Sequence, residues 1–263
     1  MAKSSLKLSK SELKEFIDEK ANLYESPKFI GTDPIQIPHQ FTKKEDIEII
    51  GFLVATIAWG NRKSIINNGN KLIEILDNDP YDFVLNHGAD DLKPLHNFVH
   101  RTFNGSDLIT FVESLKNIYL NHGGLELIFQ SQNANEDLQP VISRFKSIFF
   151  EIPHTTRTQK HISDPLKNSA AKRINMFLRW MVRPATAGVD FGLWKNISPG
   201  LLSCPLDVHS GRIARQLGLL TRVQNDAKAV AELDSKLRKL DPKDPVKYDF
   251  ALFGLSAFEK DLF

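Results

Sequence analysis

Cysteine is almost missing from this chain: Cys204 is the single thiol among 263 residues. An internal disulfide, a four-thiolate zinc site and a four-cysteine iron–sulfur cluster are therefore excluded, and a reducing compartment, by default cytoplasmic, is expected. Long apolar runs are missing as well. Nothing approaches the ~18 residues of a membrane span, and the opening MAKSSLKLSKSELKEF lacks the apolar core of a signal peptide, so no membrane partner is expected. Charge of one sign is lacking, with 34 Lys+Arg against 32 Asp+Glu. The total therefore argues for neither nucleic acid nor membrane. No glycine-rich phosphate loop and no serine-nucleophile elbow are found. His96 and His100 have the spacing of one helix face, but no His-Glu-x-x-His pattern or cysteine pair accompanies them, and neither metal nor cofactor is expected.

Helical periodicity is what the chain does contain. Ser9 or Ser11 is placed to cap a first helix running to Tyr24, and the stretch from Lys44 to Leu76 reads as two helices broken near Gly60-Asn61. Further helices are predicted at 107–121, 138–150, 171–182, 208–217, 226–240 and 246–253, with proline and glycine in the joints. Strand alternation is nearly absent. The predicted class is all-α, forming one compact helical unit over 1–263 or two packed helical lobes with a cleft between them.

The balanced total hides an asymmetry. Between Val141 and Arg183 stand nine basic residues, Arg144, Lys146, Arg157, Lys160, Lys167, Lys172, Arg173, Arg179 and Arg183, against the two acids Glu151 and Asp164. That window carries +7 and the remainder −5, from 25 basic and 30 acidic residues. A local excess of this kind suits a phosphate-binding surface; the alternative is a solvated face. On a helical wheel AAKRINMFLRWMVRP puts Ile174, Phe177, Leu178 and Met181 on one side and Lys172, Met176, Arg179 and Arg183 on the other. Those cations are either solvated or met by acids from elsewhere in the fold. Lys172 falls in the first helical turn, where the helix dipole and Arg173 should disfavour its protonated form, as an amine nucleophile requires. Downstream, in CPLDVHSGRIARQLGLL, Asp207 is a good N-cap residue, and a carboxylate at the edge of a basic groove can also stabilise a developing cation.

Asp207-Val208-His209, followed by Arg212-Ile213-Ala214-Arg215 and Leu217-Gly218-Leu219, resembles a segment of the helix-hairpin-helix DNA glycosylases. The resemblance implies that Asp207 is the catalytic carboxylate. Lys172 opens a helix ahead of it, as the Schiff-base lysine of the bifunctional enzymes does. The helix, polar break and helix of GFLVATIAWGNRKSIINNGNKLIEIL stand where that superfamily fills the gap left by an extruded base, which makes Trp59, Gly60 and Asn61 candidates. Over nearly its whole length the chain also resembles a family of bacterial proteins of unknown function, through DPIQIPHQF, AWGNRKSIIN, HRTFNGSDL, KHISDPLKNSAAKRINMFLRWMVR, VDFGLW, PLDVHSGRIARQLGL and DPVKYDFALFGL.

The hairpin is degenerate, since Leu166-Lys167-Asn168-Ser169-Ala170-Ala171 has no glycine, and thirty-five residues separate Lys172 from Asp207. The archaeal 8-oxoguanine glycosylase branch, with a similar hairpin and interval, is the nearest model. The resemblance implies a monomeric enzyme of base excision acting on damaged double-stranded DNA, with or without abasic lyase activity. Lys160, Arg173, Arg179, Arg183 and Arg212 are the expected phosphate contacts. Trp59, Trp180 and Trp194 are candidate platforms for a base, and core or rim positions are the alternative for each tryptophan. The competing function is a non-catalytic nucleic-acid-binding protein that uses the basic 141–183 segment.

Overall fold

Helix α2 (Lys44–Ile57) has no solvent face. Every residue from Asp46 to Ile57 is buried, because DIEIIGFLVATI carries no polar stripe wide enough to face water. The computed structural model describes residues 8–130 and 137–259. The other helices are α1 (Lys10–Tyr24), α3 (Arg62–Ile75), α4 (Pro80–Asn86), α5 (Gly105–Asn121), α6 (Leu125–Phe129), α7 (Leu138–Phe149), α8 (Lys172–Val182), α9 (Val208–Gln216), α10 (Ala227–Leu240) and α11 (Tyr248–Phe258). Among the described residues the only strands are β1 (Val99–His100) and β2 (Phe103–Asn104), a short antiparallel ribbon. The fold is all-α. Helices α4 and α6 were not predicted, since seven and five residues are too few to display a period.

The buried apolar residues form two clusters. One gathers α2 to α8, with Phe52, Phe111, Phe145, Phe177 and Trp194 among its large side chains. Gly51 lets α8 approach α2 closely: a Cβ there would lie 3.4 Å from Met181. The other cluster joins α1, α9, α10 and α11 through Ile17, Ile213, Leu233 and Leu252. Two carboxylates of α2 enter the first cluster hydrogen-bonded, as buried polar groups require. Asp46 accepts the Tyr81 N–H (2.8 Å), and Glu48 accepts Trp194 Nε1–H and the Tyr119 hydroxyl, both at 2.6 Å.

The His96/His100 spacing does not place both on one helix. His96 lies in the 3-10 turn Pro94–Asn97 and His100 in β1, where its ring nitrogens meet Asn68 Nδ2 (2.9 Å) and the Trp59 carbonyl (3.2 Å).

Asp107 holds a further buried polar knot. It closes the capping box of α5 with Asn104, accepts from Arg157 Nη1 and Thr158 Oγ1 (both 2.7 Å), and lies 3.2 Å from His161 Nε2. Burial pulls His161 from 6.5 to about 4 even though Asp107 favours its charged form. The folded state therefore binds this proton less well than the unfolded chain. Stability is intact above pH 6.5 and falls as the pH drops through 4. His161→Gln is expected to flatten the acid side of the melting-temperature profile between these values; parallel wild-type and variant profiles would contradict the assignment.

Candidate active site

A cleft of about 670 Å³ opens between the two apolar clusters. Its wall on the side of the larger cluster begins in the segment that leads into α8. After the 3-10 turn Pro165–Lys167, Asn168 (φ 65°) and Ala171 (φ 46°) both take the left-handed conformation that glycine adopts most readily. Asn168 is fixed there by its N–H to the Pro165 carbonyl (2.9 Å) and its side chain to Asp226 (3.2 Å), while Ser169 bridges to Asp226. The glycine-free stretch thus still turns sharply and delivers Lys172 at the start of α8, whose N-terminus no side chain caps.

The facing wall is the start of α9. Asp207 Oδ1 accepts the N–H groups of His209 (2.8 Å) and Ser210 (3.0 Å), and the Ser210 hydroxyl accepts the Asp207 N–H in return. Capping occupies one carboxylate oxygen and aims the other across the cleft. There Asp207 Oδ2 meets Lys172 Nζ at 2.7 Å. The neighbouring Arg173 guanidinium turns away to the Thr56 carbonyl and the Trp59 ring, 4.8 Å from its centroid, and burial brings it down to about 10.

Three carboxyl groups in the cleft have different environments. Burial would push Asp207 up, but the Lys172 ammonium and the N–H groups of Ser210 and His209 outweigh it and hold this carboxylate below its ordinary range. Burial prevails at Asp33, despite Arg179, Arg62 and Lys172, and at Asp249, despite Arg179, and raises both. A paired, ionised carboxylate beside carboxyl groups whose charged forms are disfavoured is the separation that acid–base sites exploit. Among the described residues no group of three or more His, Cys, Asp or Glu is arranged to hold a metal ion.

Of the remaining sequence candidates, Trp59 and Gly60 line the cleft. Trp59 is half-buried, with Arg173 over its ring, His161 stacked at 6.1 Å and His100 edge-on at 5.1 Å. Gly60 has φ 99°, and a Cβ there would lie 2.6 Å from Arg101 Nη1. Asn61 stands outside the cleft lining and caps α3 through the Ser64 N–H (3.1 Å). Lys160 is exposed, and Arg212 reaches Ser256 Oγ (3.4 Å) away from the lining.

Four expectations need correction. Trp180 and Trp194 are fully buried core residues, the latter bonded to Glu48 and stacked 5.5 Å from Phe129, so neither offers a face to a base. Arg183 is 3% exposed and clamped by Glu25 (2.8 Å), Asp190 (2.6 Å) and Asp244 (2.9 Å), which leaves it no phosphate. Arg179, at the cleft floor, is likewise buried between Asp190 (3.3 Å) and Asp249 (2.6 Å). The cationic stripe of α8 is met by acids from elsewhere in the fold. The rest of the +7 window is largely engaged too: Arg157 pairs with Asp107, while Arg144 and Lys146 donate to backbone carbonyls. Lys160 and Lys167 remain exposed. Removing Arg183 leaves buried Asp190 with Arg179 alone and takes the partner from half-buried Glu25 and Asp244, so Arg183→Met is expected to cost ~3 kcal/mol in urea unfolding; a loss below about 1 kcal/mol would show the clamp to be dispensable.

A family model described as "Protein of unknown function (DUF2400)" matches residues 33–258. The chain belongs to the DUF2400 family. No curated protein and no solved structure gives a match. The matched segment of this DUF2400 protein begins at Asp33 and contains the whole cleft lining, whereas α1 precedes it.

Several cleft residues of the DUF2400 chain escaped the sequence reading. Asp33 caps the 3-10 turn Pro34–Gln36 through the Ile35 N–H (3.0 Å), and its Asp-Pro pair signals a turn without indicating a cleft. Arg62 is exposed at the first position of α3, with its guanidinium 5.4 Å from the Phe253 ring centroid. Asp249 and Phe253 come from α11. Of the face on which the wheel puts Lys172, Met176, Arg179 and Arg183, the first three line the cleft and Arg183 does not.

Proposed function

We propose that this protein is a DNA glycosylase that extrudes a damaged nucleotide into the cleft and cleaves its N-glycosidic bond, with Lys172 as nucleophile and Asp207 as the carboxylate. The observation that carries the reading is the 2.7 Å approach of Lys172 Nζ to Asp207 Oδ2 across a cleft. Two residues singled out separately, thirty-five positions apart, form one pair, and capping of α9 orients the carboxylate independently of the lysine.

The pair supports a balanced sequence of steps. Asp207 Oδ2 receives the ammonium proton, and the neutral amine attacks the sugar anomeric carbon. The bond from that carbon to the base breaks, and the base leaves with the electron pair and takes up the proton that Asp207 had received. Asp207, again ionised, faces the positive charge that develops at the sugar. The bond from the anomeric carbon to the ring oxygen then breaks, with the oxygen taking up a proton from the attached nitrogen, to give an imine on Lys172; loss of a C2′ proton to water then expels the 3′ phosphate and breaks the strand. Attack by water in place of the amine would stop the reaction at an abasic site. Lys160 and Arg212 keep their proposed phosphate contacts, joined by Arg62. Arg173 is proposed to position Trp59 at the edge of the base-binding space, with Gly60 and Asn61 shaping the turn beside it.

The deciding experiment incubates the protein with duplexes carrying 8-oxoguanine, uracil, hypoxanthine, an alkylated purine or a preformed abasic site, in the presence of borohydride. A reduced covalent adduct mapping to Lys172 is expected. Binding to every duplex without base release or adduct would instead identify a non-catalytic nucleic-acid-binding protein.

A further inference from the structure

A hairpin that reverses within two residues commonly needs a positive φ, which glycine, asparagine or aspartate supplies at least cost. The ribbon of β1 and β2 reverses through Arg101-Thr102, and it is Arg101 that takes the positive angle, φ 54°. A long side chain in the left-handed region crowds its own backbone, so the surrounding structure must hold it there. Three sets of contacts do so. His100 meets the Trp59 carbonyl (3.2 Å) and Asn68 Nδ2 (2.9 Å), and Arg157 Nη2 donates to the Thr102 carbonyl (2.9 Å). At the foot of the ribbon the backbone of Gly105 presses on that of His96, where a Cβ would lie 2.4 Å from the carbonyl oxygen.

This clamp sets the Arg101 side chain against the turn between α2 and α3. A Cβ on Gly60 would lie 2.6 Å from Arg101 Nη1, 3.2 Å from Cδ and 3.4 Å from Cζ, so the guanidinium rests on the bare backbone of that glycine. Gly60 and Trp59 line the cleft, which puts the guanidinium at its edge. Arg101 is exposed, and among the described residues its side chain has neither a carboxylate partner nor a hydrogen bond. Arg157, Arg179 and Arg183, in contrast, are all met by carboxylates. The same corner carries exposed Lys160, on the 3-10 turn that Arg157 ties to the ribbon, and exposed Arg62, two residues after Gly60.

We infer that Arg101 is a phosphate-binding finger, held by the ribbon at the edge of the cleft to grip the DNA backbone beside the nucleotide that enters it. The inference rests on the DNA reading above and adds the β1–β2 ribbon to the elements that would hold the duplex. A guanidinium offers paired donors to a phosphate, and a cation with no carboxylate of its own loses nothing inside the protein when it takes one. The strained backbone at Arg101 is then the cost of fixing that cation in place.

Arg101→Gly in the full chain removes the cation and supplies the residue that a positive φ favours, so stability and binding should respond in opposite directions. The melting temperature should equal or exceed that of wild type. Fluorescence anisotropy on a duplex carrying a tetrahydrofuran abasic analogue should show binding about fivefold weaker at about 0.1 M salt, with the salt slope lower by about one. The loss should be the same whichever base stands opposite the analogue, because a phosphate carries no sequence information. Arg101→Lys keeps the charge and should keep the wild-type slope. A loss confined to one opposite base would overturn the phosphate assignment, as would an Arg101→Lys slope as low as that of Arg101→Gly. Weaker binding joined to a lower melting temperature would make the arginine a packing residue of the ribbon and overturn the proposal as well. If wild type binds no duplex, the DNA reading fails and the finger with it. If wild type binds and Arg101→Gly binds equally well with the same slope, the finger alone fails.

Discussion

Lys172→Gln, incubated with abasic duplex DNA and borohydride, is expected to yield no covalent adduct under conditions that trap wild type. The loss should be complete, because the imine requires a primary amine at that position and glutamine has none. The fold should survive. The Lys172 side chain is 39% exposed and its pairing with Asp207 is the partly solvated kind worth ~1 kcal/mol or less. Asp207 keeps its two backbone hydrogen bonds at the start of α9 without the lysine. Mass spectrometry of the wild-type adduct supplies the check. A reduced linkage on any residue but Lys172, or undiminished trapping of Lys172→Gln, would transfer the nucleophile to another amine.

The second large effect is on base release. Asp207→Asn should slow single-turnover release of a susceptible base on the order of 10³-fold, since a neutral amide cannot accept the lysine proton or stand as a negative charge beside the developing cation at the sugar. Asparagine is as good an N-cap as aspartate, so α9 should start as before and the deficit should be chemical. Asp207→Ala offers the contrast: it removes the cap as well and should add a stability loss of ~1 kcal/mol. A rate for Asp207→Asn within tenfold of wild type would remove the carboxylate from the mechanism.

Much of the helical framework was legible because its signals are local. The break between α2 and α3 lies at Trp59-Gly60-Asn61, where a positive φ and an asparagine cap are both encoded in the residue types. Asp207 was legible as an N-cap for the same reason, and Met176 shares the Lys172 face of α8 as the period requires. The arginines of that helix were misjudged, because periodicity distinguishes an apolar stripe from a charged one but says nothing of what covers the charged one. Glu25, Asp190 and the neighbouring Asp244 and Asp249 come from three distant stretches of sequence, and they converge on Arg179 and Arg183 only when α1, α8 and α11 pack. Trp194 was open to two readings until Glu48, 146 residues away, met its indole N–H.

The single cysteine, the absence of a long apolar run and the helical period were sufficient to exclude an internal disulfide, a four-thiolate metal site and a helical membrane span, and to assign an all-α chain, because composition and short-range spacing carry those constraints. Tertiary structure decided which charges face water. Burial and pairing engage most cations of the basic window inside the protein, while the cleft brings Lys172 and Asp207 within a hydrogen bond of each other. The physical reason is range: a cap or a helical period is settled within one or two turns, but the partner of a charged side chain depends on the distant element that packs over it.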